Sequence, residues 1–190
     1  MAYRKTDFVL ARIAARKAKM VKAAIKIIEK DGFYALTAAA VVKHSGTSMG
    51  SLFNIFPDMA ELIAHTEATV MNLDREAMET QVADTEPGAA QVVDALGVIF
   101  DIFAGAGVSR EMMAHSEAYR ETITRTLAHI IGASDLCPRE EARDCARVAL
   151  GAIFGMSVAS GSRATRFSRA TVFILRGMGV SERKAMELVS

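Results

Sequence analysis

His44, His65, His115 and His129, with Cys137 and Cys145, are the side chains of this 190-residue chain best suited to metal or nucleophilic chemistry. None stands at a metal-ligand spacing, and the two cysteines have no second pair with which to build a zinc site or a disulfide framework. No Ser, His and Asp set and no phosphate-cradling glycine loop accompanies them, so neither a cofactor nor an enzymatic activity is expected. The spacing that does carry chemistry lies in residues 36–56, LTAAAVVKHSGTSMGSLFNIF. Two short helices are expected there, over 38–44 and 49–55, with Thr37 and Ser48 as caps and Gly46 in the tight turn between them.

Two helices joined in this way form a helix-turn-helix, whose second helix can lie in the major groove of double-stranded DNA. Val41 and Val42 can meet Leu52 and Phe56 between the helices, which leaves Ser48, Met49, Ser51 and Asn54 facing outward. Asn54 suits paired hydrogen bonds to adenine, the serines suit several bases, and Met49 suits a thymine methyl. An operator rich in A·T contacts is therefore expected. For Asn54 the competing reading is a plain solvent-facing residue, and for Phe53 it is a core aromatic.

Charge follows the same division. The net charge is +1 overall, but residues 1–60 hold 10 Lys or Arg against 4 Asp or Glu, while residues 61–190 hold 13 against 18. A basic leading third suits a polyanion, because each phosphate neutralised releases condensed counterions. A chance excess of lysine on a solvated helix is the plainer reading.

The remaining elements position that unit. An amphipathic helix over 7–30 precedes it, with Val21, Ala24, Ile25 and Ile28 on one face and Lys19, Lys22, Lys26 and Lys30 elsewhere. Asp58 and Glu61 form a capping box that opens a long helix over 59–84, and Pro87-Gly88 ends it. Further helices are expected over 89–104, 109–131, 138–160 and 162–178, with a short tail from Ser181. No stretch alternates like a strand, so the class is all-α. The longest uncharged apolar run, between Arg147 and Arg163, is too short to cross a bilayer and reads as a buried helix. With no signal-peptide pattern at the start, a reduced, cytoplasmic setting without membrane association is expected.

The basic first helix, then GFYALT, the glycine turn and TSMGSLFNIFPDMAEL together resemble the N-terminal signature of TetR-type regulators. Thr37, Gly46, Ser48, Gly50, Leu52, Phe53 and Phe56 stand at the matching places without a gap, and the close likeness covers residues 20–63. It implies a helix-turn-helix domain over 1–57 and a helical ligand-binding and dimerisation domain over 58–190. It further implies a repressor that a small, largely apolar effector releases from its operator. The DNA-facing set is then Arg4, Lys5, Thr37, Lys43, Ser48, Met49, Ser51, Phe53 and Asn54. Phe53 replaces the usual tyrosine and its phosphate-donating hydroxyl, and Ile55 and Met59 also depart from the pattern. That departure motivates a rival reading in which the head is degenerate and the protein binds ligands or partners without DNA.

Within 58–190, Met71, Met78, Phe100, Phe103, Met112 and Met113 suit an irregular apolar pocket, although each can equally fill a core. His115 and Tyr119, four residues apart on one expected helix, could orient a ligand hydroxyl or carboxylate, with Glu117 between them. A small helical enzyme built on His115 and Glu117 is the remaining alternative. Gly151, Gly155 and Ala159 recur every four residues beside Met156, Phe173 and Ile174, which suits a four-helix contact between two copies; the same helices could instead close the monomer's own core.

Overall fold

The computed structural model describes residues 7–105 and 107–190. These form ten α-helices and one 3-10 turn, and among the described residues there is no strand. Among them, too, no single helix is long and apolar enough to cross a membrane. The chain divides into two compact units whose boundary falls between Val70 and Met71, inside α4 (Met59–Val82).

In the first unit, α1 (Asp7–Asp31) changes character along its length. From Phe8 through Lys19 no side chain is buried, and from Met20 onward Met20, Val21, Ala23, Ala24, Ile27 and Ile28 turn inward at helical spacing. Gly32, at φ 83°, turns the chain into a 3-10 turn (Phe33–Ala35). Helix α2 (Ala38–Ser45) and helix α3 (Met49–Ile55) follow, and both pack on α1. Asp58 then opens α4, its carboxylate accepting the Glu61 amide hydrogen at 2.8 Å. Val41, Leu52, Phe56 and Leu62 are almost wholly buried. Burying each is worth roughly 1.5–3 kcal/mol against leaving it in water.

In the second unit, α5 (Ala89–Ala104) is the central helix, packed against α6 through α10. Its Val92, Leu96, Ile99, Phe100 and Phe103 are buried. Helix α7 (Glu117–Ala133) packs on α8 (Ala142–Ser157), which packs on α9 (Arg163–Gly177).

The single helix expected over 109–131 is in fact two, α6 (Val108–His115) and α7, broken at Ser116. Ser116 is extended, and its hydroxyl oxygen accepts the Tyr119 amide hydrogen at 3.1 Å, so it caps a new helix instead of continuing the old one. The carbonyls left at the end of α6 are met by Arg120, whose guanidinium donates to Met113 O at 2.9 Å and Ala114 O at 3.3 Å. Two other boundaries differ. Helix α8 starts at Ala142, because the residues after Pro138 form turns. The expected tail is a helix, α10 (Glu182–Leu188), capped by Ser181 and anchored by the buried Ala185.

Candidate nucleic-acid interface and body cavities

The turn between α2 and α3 follows from three local choices. Thr37 accepts the Ala40 amide hydrogen at 3.2 Å and starts α2. Gly46 stops it in the left-handed region, at φ 62°, where a side chain would cost about 1 kcal/mol or more. Ser48 then accepts the Ser51 amide hydrogen at 3.2 Å and starts α3.

Leu52 and Phe56, four residues apart, carry α3 into the core, so the opposite side of the helix must face out. Ser48, Asn54, Met49 and Phe53 are exposed, the last two at 43% each, and Ser51 is half-buried. Thr37 and Lys43 are exposed on α2. The core-aromatic reading of Phe53 therefore fails, because its neighbour Leu52 takes the inward position. Arg4 and Lys5 lie outside the described residues.

Lys17 and Lys19 were not singled out from the sequence as site residues. The Lys17 ammonium sits 5.4 Å from the Phe56 ring centroid, a cation–π contact that fixes a positive charge beside α3. The Lys19 ammonium lies 3.8 Å from where a Cβ on Gly46 would be. Basic residues in the turn just before Met20, the first buried residue of α1, are the signal that could have found them.

In the second unit, Met78, Phe100, Phe103, Met112, Met113 and Tyr119 are buried, Met71 is half-buried and His115 is exposed. His115 and Tyr119 do not share a helical face, since the break at Ser116 puts them on different helices. His115 is the last residue of α6, 3.8 Å from Glu111. Tyr119 instead donates its hydroxyl hydrogen to the Asp74 carboxylate on α4, at 2.5 Å.

Ser109 on α6 hydrogen-bonds to the same pair. Burial raises the pKa of Asp74, and the hydrogen bonds from Tyr119 and Ser109 offset part of that rise. Burial and the neighbouring Asp74 carboxylate likewise hold the Tyr119 phenol protonated. The cluster ties the second half of α4 to α6 and α7. Asp74 escaped notice because its partner lies 45 positions away.

Phe103 and Met113, of the candidate ligand residues, line a cavity of 340 Å³ among α5, α6, α7 and α8. Leu150 and Phe154 complete its apolar wall, and Arg120 and Arg147 reach its edge. Phe154 stacks edge-on against Phe103, with centroids 5.5 Å apart.

On α8 and α9, Gly151 and Gly155 are exposed, and a Cβ on either would meet nothing within 4 Å. Val148 and Phe173, at 65% and 66% exposure, stand on the same pair of helices with Phe154 and Val158, both also exposed. Met156 and Ala159 are half-buried. Ile174 corrects the expected set, because it is buried in the unit's own core while Phe173 beside it points out. A concentration of large apolar side chains in water is uncommon on a monomer.

The fold and this geometry define an all-α protein with a helix-turn-helix head. Residues 20–66 match the model of the bacterial regulatory proteins of the tetR family. Uncharacterized HTH-type transcriptional regulators of Mycobacterium tuberculosis and Mycobacterium bovis are 30% identical over 117 residues, 60% of this chain and 60% of theirs. The chain thus spans 60% of the length of the curated relatives it matches.

Among solved structures, RolR in complex with resorcinol superimposes with a TM-score of 0.71 at 14% identity, over 95% of this chain and 96% of that one. A gamma-butyrolactone receptor, ArpA-like, gives 0.62 at 15%, over 94% and 96%. The Thermus thermophilus FadR, a TetR-family repressor in complex with lauroyl-CoA, gives 0.54 at 17%, over 87% and 96%. These three share the fold across both units. The resemblance to TetR-type regulators read over residues 20–63 is thus matched by the family model over residues 20–66.

Proposed function

We propose that the protein is a DNA-binding transcriptional regulator, a repressor that a small effector releases from its operator. The observation that carries this reading is the outward face of α3, where Met49, Phe53 and Asn54 are exposed while Leu52 and Phe56 hold the helix in place, with Lys43 exposed on α2 and Lys17 over the Phe56 ring. The head over 1–57 contacts DNA, with the site set named from the sequence and Lys17 and Lys19 added to it. The cations take phosphates, and Asn54 and Met49 read base edges.

The body over 58–190 takes the effector, as the solved relatives holding resorcinol and lauroyl-CoA suggest by analogy, and pairs with a second copy through α8 and α9. Two heads then meet half-sites about one helical turn, or a multiple of it, apart. An effector that binds one arrangement of the dimer better shifts the population away from the DNA-competent form, by about 1–3 kcal/mol for typical coupling. Such a regulator works inside the cell, in the cytoplasm.

The test is retention on duplex DNA. Fragments selected from the source genome should be bound with a log–log salt slope of several units, and Phe173→Asp should give a monomer by sedimentation with weakened retention. A flat salt response with no enriched site would favour the rival, a ligand-binding protein with a degenerate head, for which the missing hydroxyl at Phe53 speaks.

A further inference from the structure

We infer that the cavity among α5, α6, α7 and α8 takes an amphipathic anion, a carboxylate with an apolar tail, held by Arg147 and Arg120 at its edge; this rests on the reading of the body as an effector-binding unit. Its walls are Phe103, Met113, Leu150 and Phe154, and its volume of 340 Å³ lies within the range of small-molecule sites. The ionisable side chains at its lining are the two arginines, and among the described residues no Asp or Glu lines it. An apolar chamber with cationic edges discriminates by charge: a neutral alcohol would fill the wall and leave the guanidiniums solvated, whereas a carboxylate gains charge-assisted hydrogen bonds as well.

The nearby carboxylates do not cancel this charge. Glu121 on α7 is engaged by Arg143 and lies 3.8 Å from Arg125, and those arginines, with the field of Arg147, hold its pKa down. Asp144 pairs with Arg147 at 3.0 Å, one turn away on α8, but both side chains are more than half exposed. That pair is solvent-screened, and an incoming carboxylate can replace it. Arg120 plays a double part. One of its nitrogens closes the end of α6, and the rest of its guanidinium is free of the bonds to Met113 and Ala114. Arg147 is therefore the cleaner position to test.

The experiment is calorimetric titration of the full chain with octanoate against 1-octanol, and with cinnamate against cinnamyl alcohol, repeated on Arg147→Gln. At least one carboxylate should bind about tenfold more tightly than its alcohol, and Arg147→Gln should remove that preference while leaving weak alcohol binding and the thermal midpoint unchanged. If neither carboxylate binds at millimolar concentration, if the alcohols bind equally well, or if Arg147→Gln retains the preference, the inference is overturned. Retention on DNA without ligand is measured on the same samples. Its loss alongside intact carboxylate binding would sink the regulator reading and leave the site standing, and the converse result would do the opposite.

Discussion

In the first unit the buried layer of Val41, Leu52, Phe56 and Leu62 is apolar, and the buried hydroxyls of Ser45 and Thr66 bond to near neighbours in the chain, Thr47 and the Leu62 carbonyl. In the body, a carboxylate, a phenol and a serine hydroxyl are drawn inward at Asp74, Tyr119 and Ser109. The difference follows from what each unit has to hold still. Helix α3 has seven residues and is held by two anchors and a glycine turn, which suffices to present one face. The second half of α4 must be held against α6 and α7, and a short hydrogen bond to a partly buried carboxylate fixes direction where apolar packing fixes only proximity. The surfaces differ in what accompanies their exposed apolar groups. In the head, Met49 and Phe53 stand with exposed Ser48, Asn54 and Lys43, whereas α8 and α9 show Val148, Phe154 and Phe173.

The largest effect that would break this comparison is expected from Phe56→Ala. Phe56 is fully buried and stacks edge-on against His65, with centroids 5.5 Å apart. Truncation should cost about 3–5 kcal/mol. Thermal unfolding followed by circular dichroism should then show the head melting well before the body, with DNA retention lost first. One unshifted transition would mean that the head's core does not depend on this ring.

A middle-sized effect, with a distinctive pH dependence, is expected from Tyr119→Phe. The ordinary Asp74 value of 3.8 is raised in the folded chain, so the group's contribution to stability is full below that value and is lost as pH rises through the folded one. Removing the phenol hydroxyl takes away a bond that lowers the folded pKa, so the raised value climbs further. The variant should lose about 1–3 kcal/mol at neutral pH and much less in acid, where a protonated Asp74 no longer lacks a donor. Denaturant unfolding at pH 7 and pH 4 checks this, and an equal loss at both would show that packing of the ring, not the hydrogen bond, is what matters.

The smallest effect sharpens the head. Phe53→Tyr adds a hydroxyl on an exposed position of α3. It should strengthen operator binding by roughly 0.5–1.5 kcal/mol, read by fluorescence anisotropy, with little change in stability. No gain would place the ring away from phosphate.

Much of the head was legible in the chain because its determinants are local. Caps at Thr37 and Ser48 act over three residues, and Gly46 answers a backbone requirement at its own position. The body was less legible. Phe103 and Met113 were found as candidates for an apolar site, but only packing decided that they line the cavity while Met78, Phe100 and Met112 fill the core around it. The pairing of His115 with Tyr119 failed because helical periodicity continues through Ser116 on paper, whereas a serine that can cap and an arginine that can satisfy the carbonyls before it end the helix there.

By itself, the sequence determined the all-α class, the two helices with their glycine turn, the basic head and the apolar faces that had to be covered, since periodicity, capping and charge act between near neighbours. Tertiary structure alone decided which apolar residues stayed exposed on α8 and α9, that Ile174 turned inward where Phe173 did not, and that Asp74 met Tyr119. Those outcomes depend on groups far apart in the chain, brought together by the burial of whole helix faces, and no spacing along the sequence encodes them.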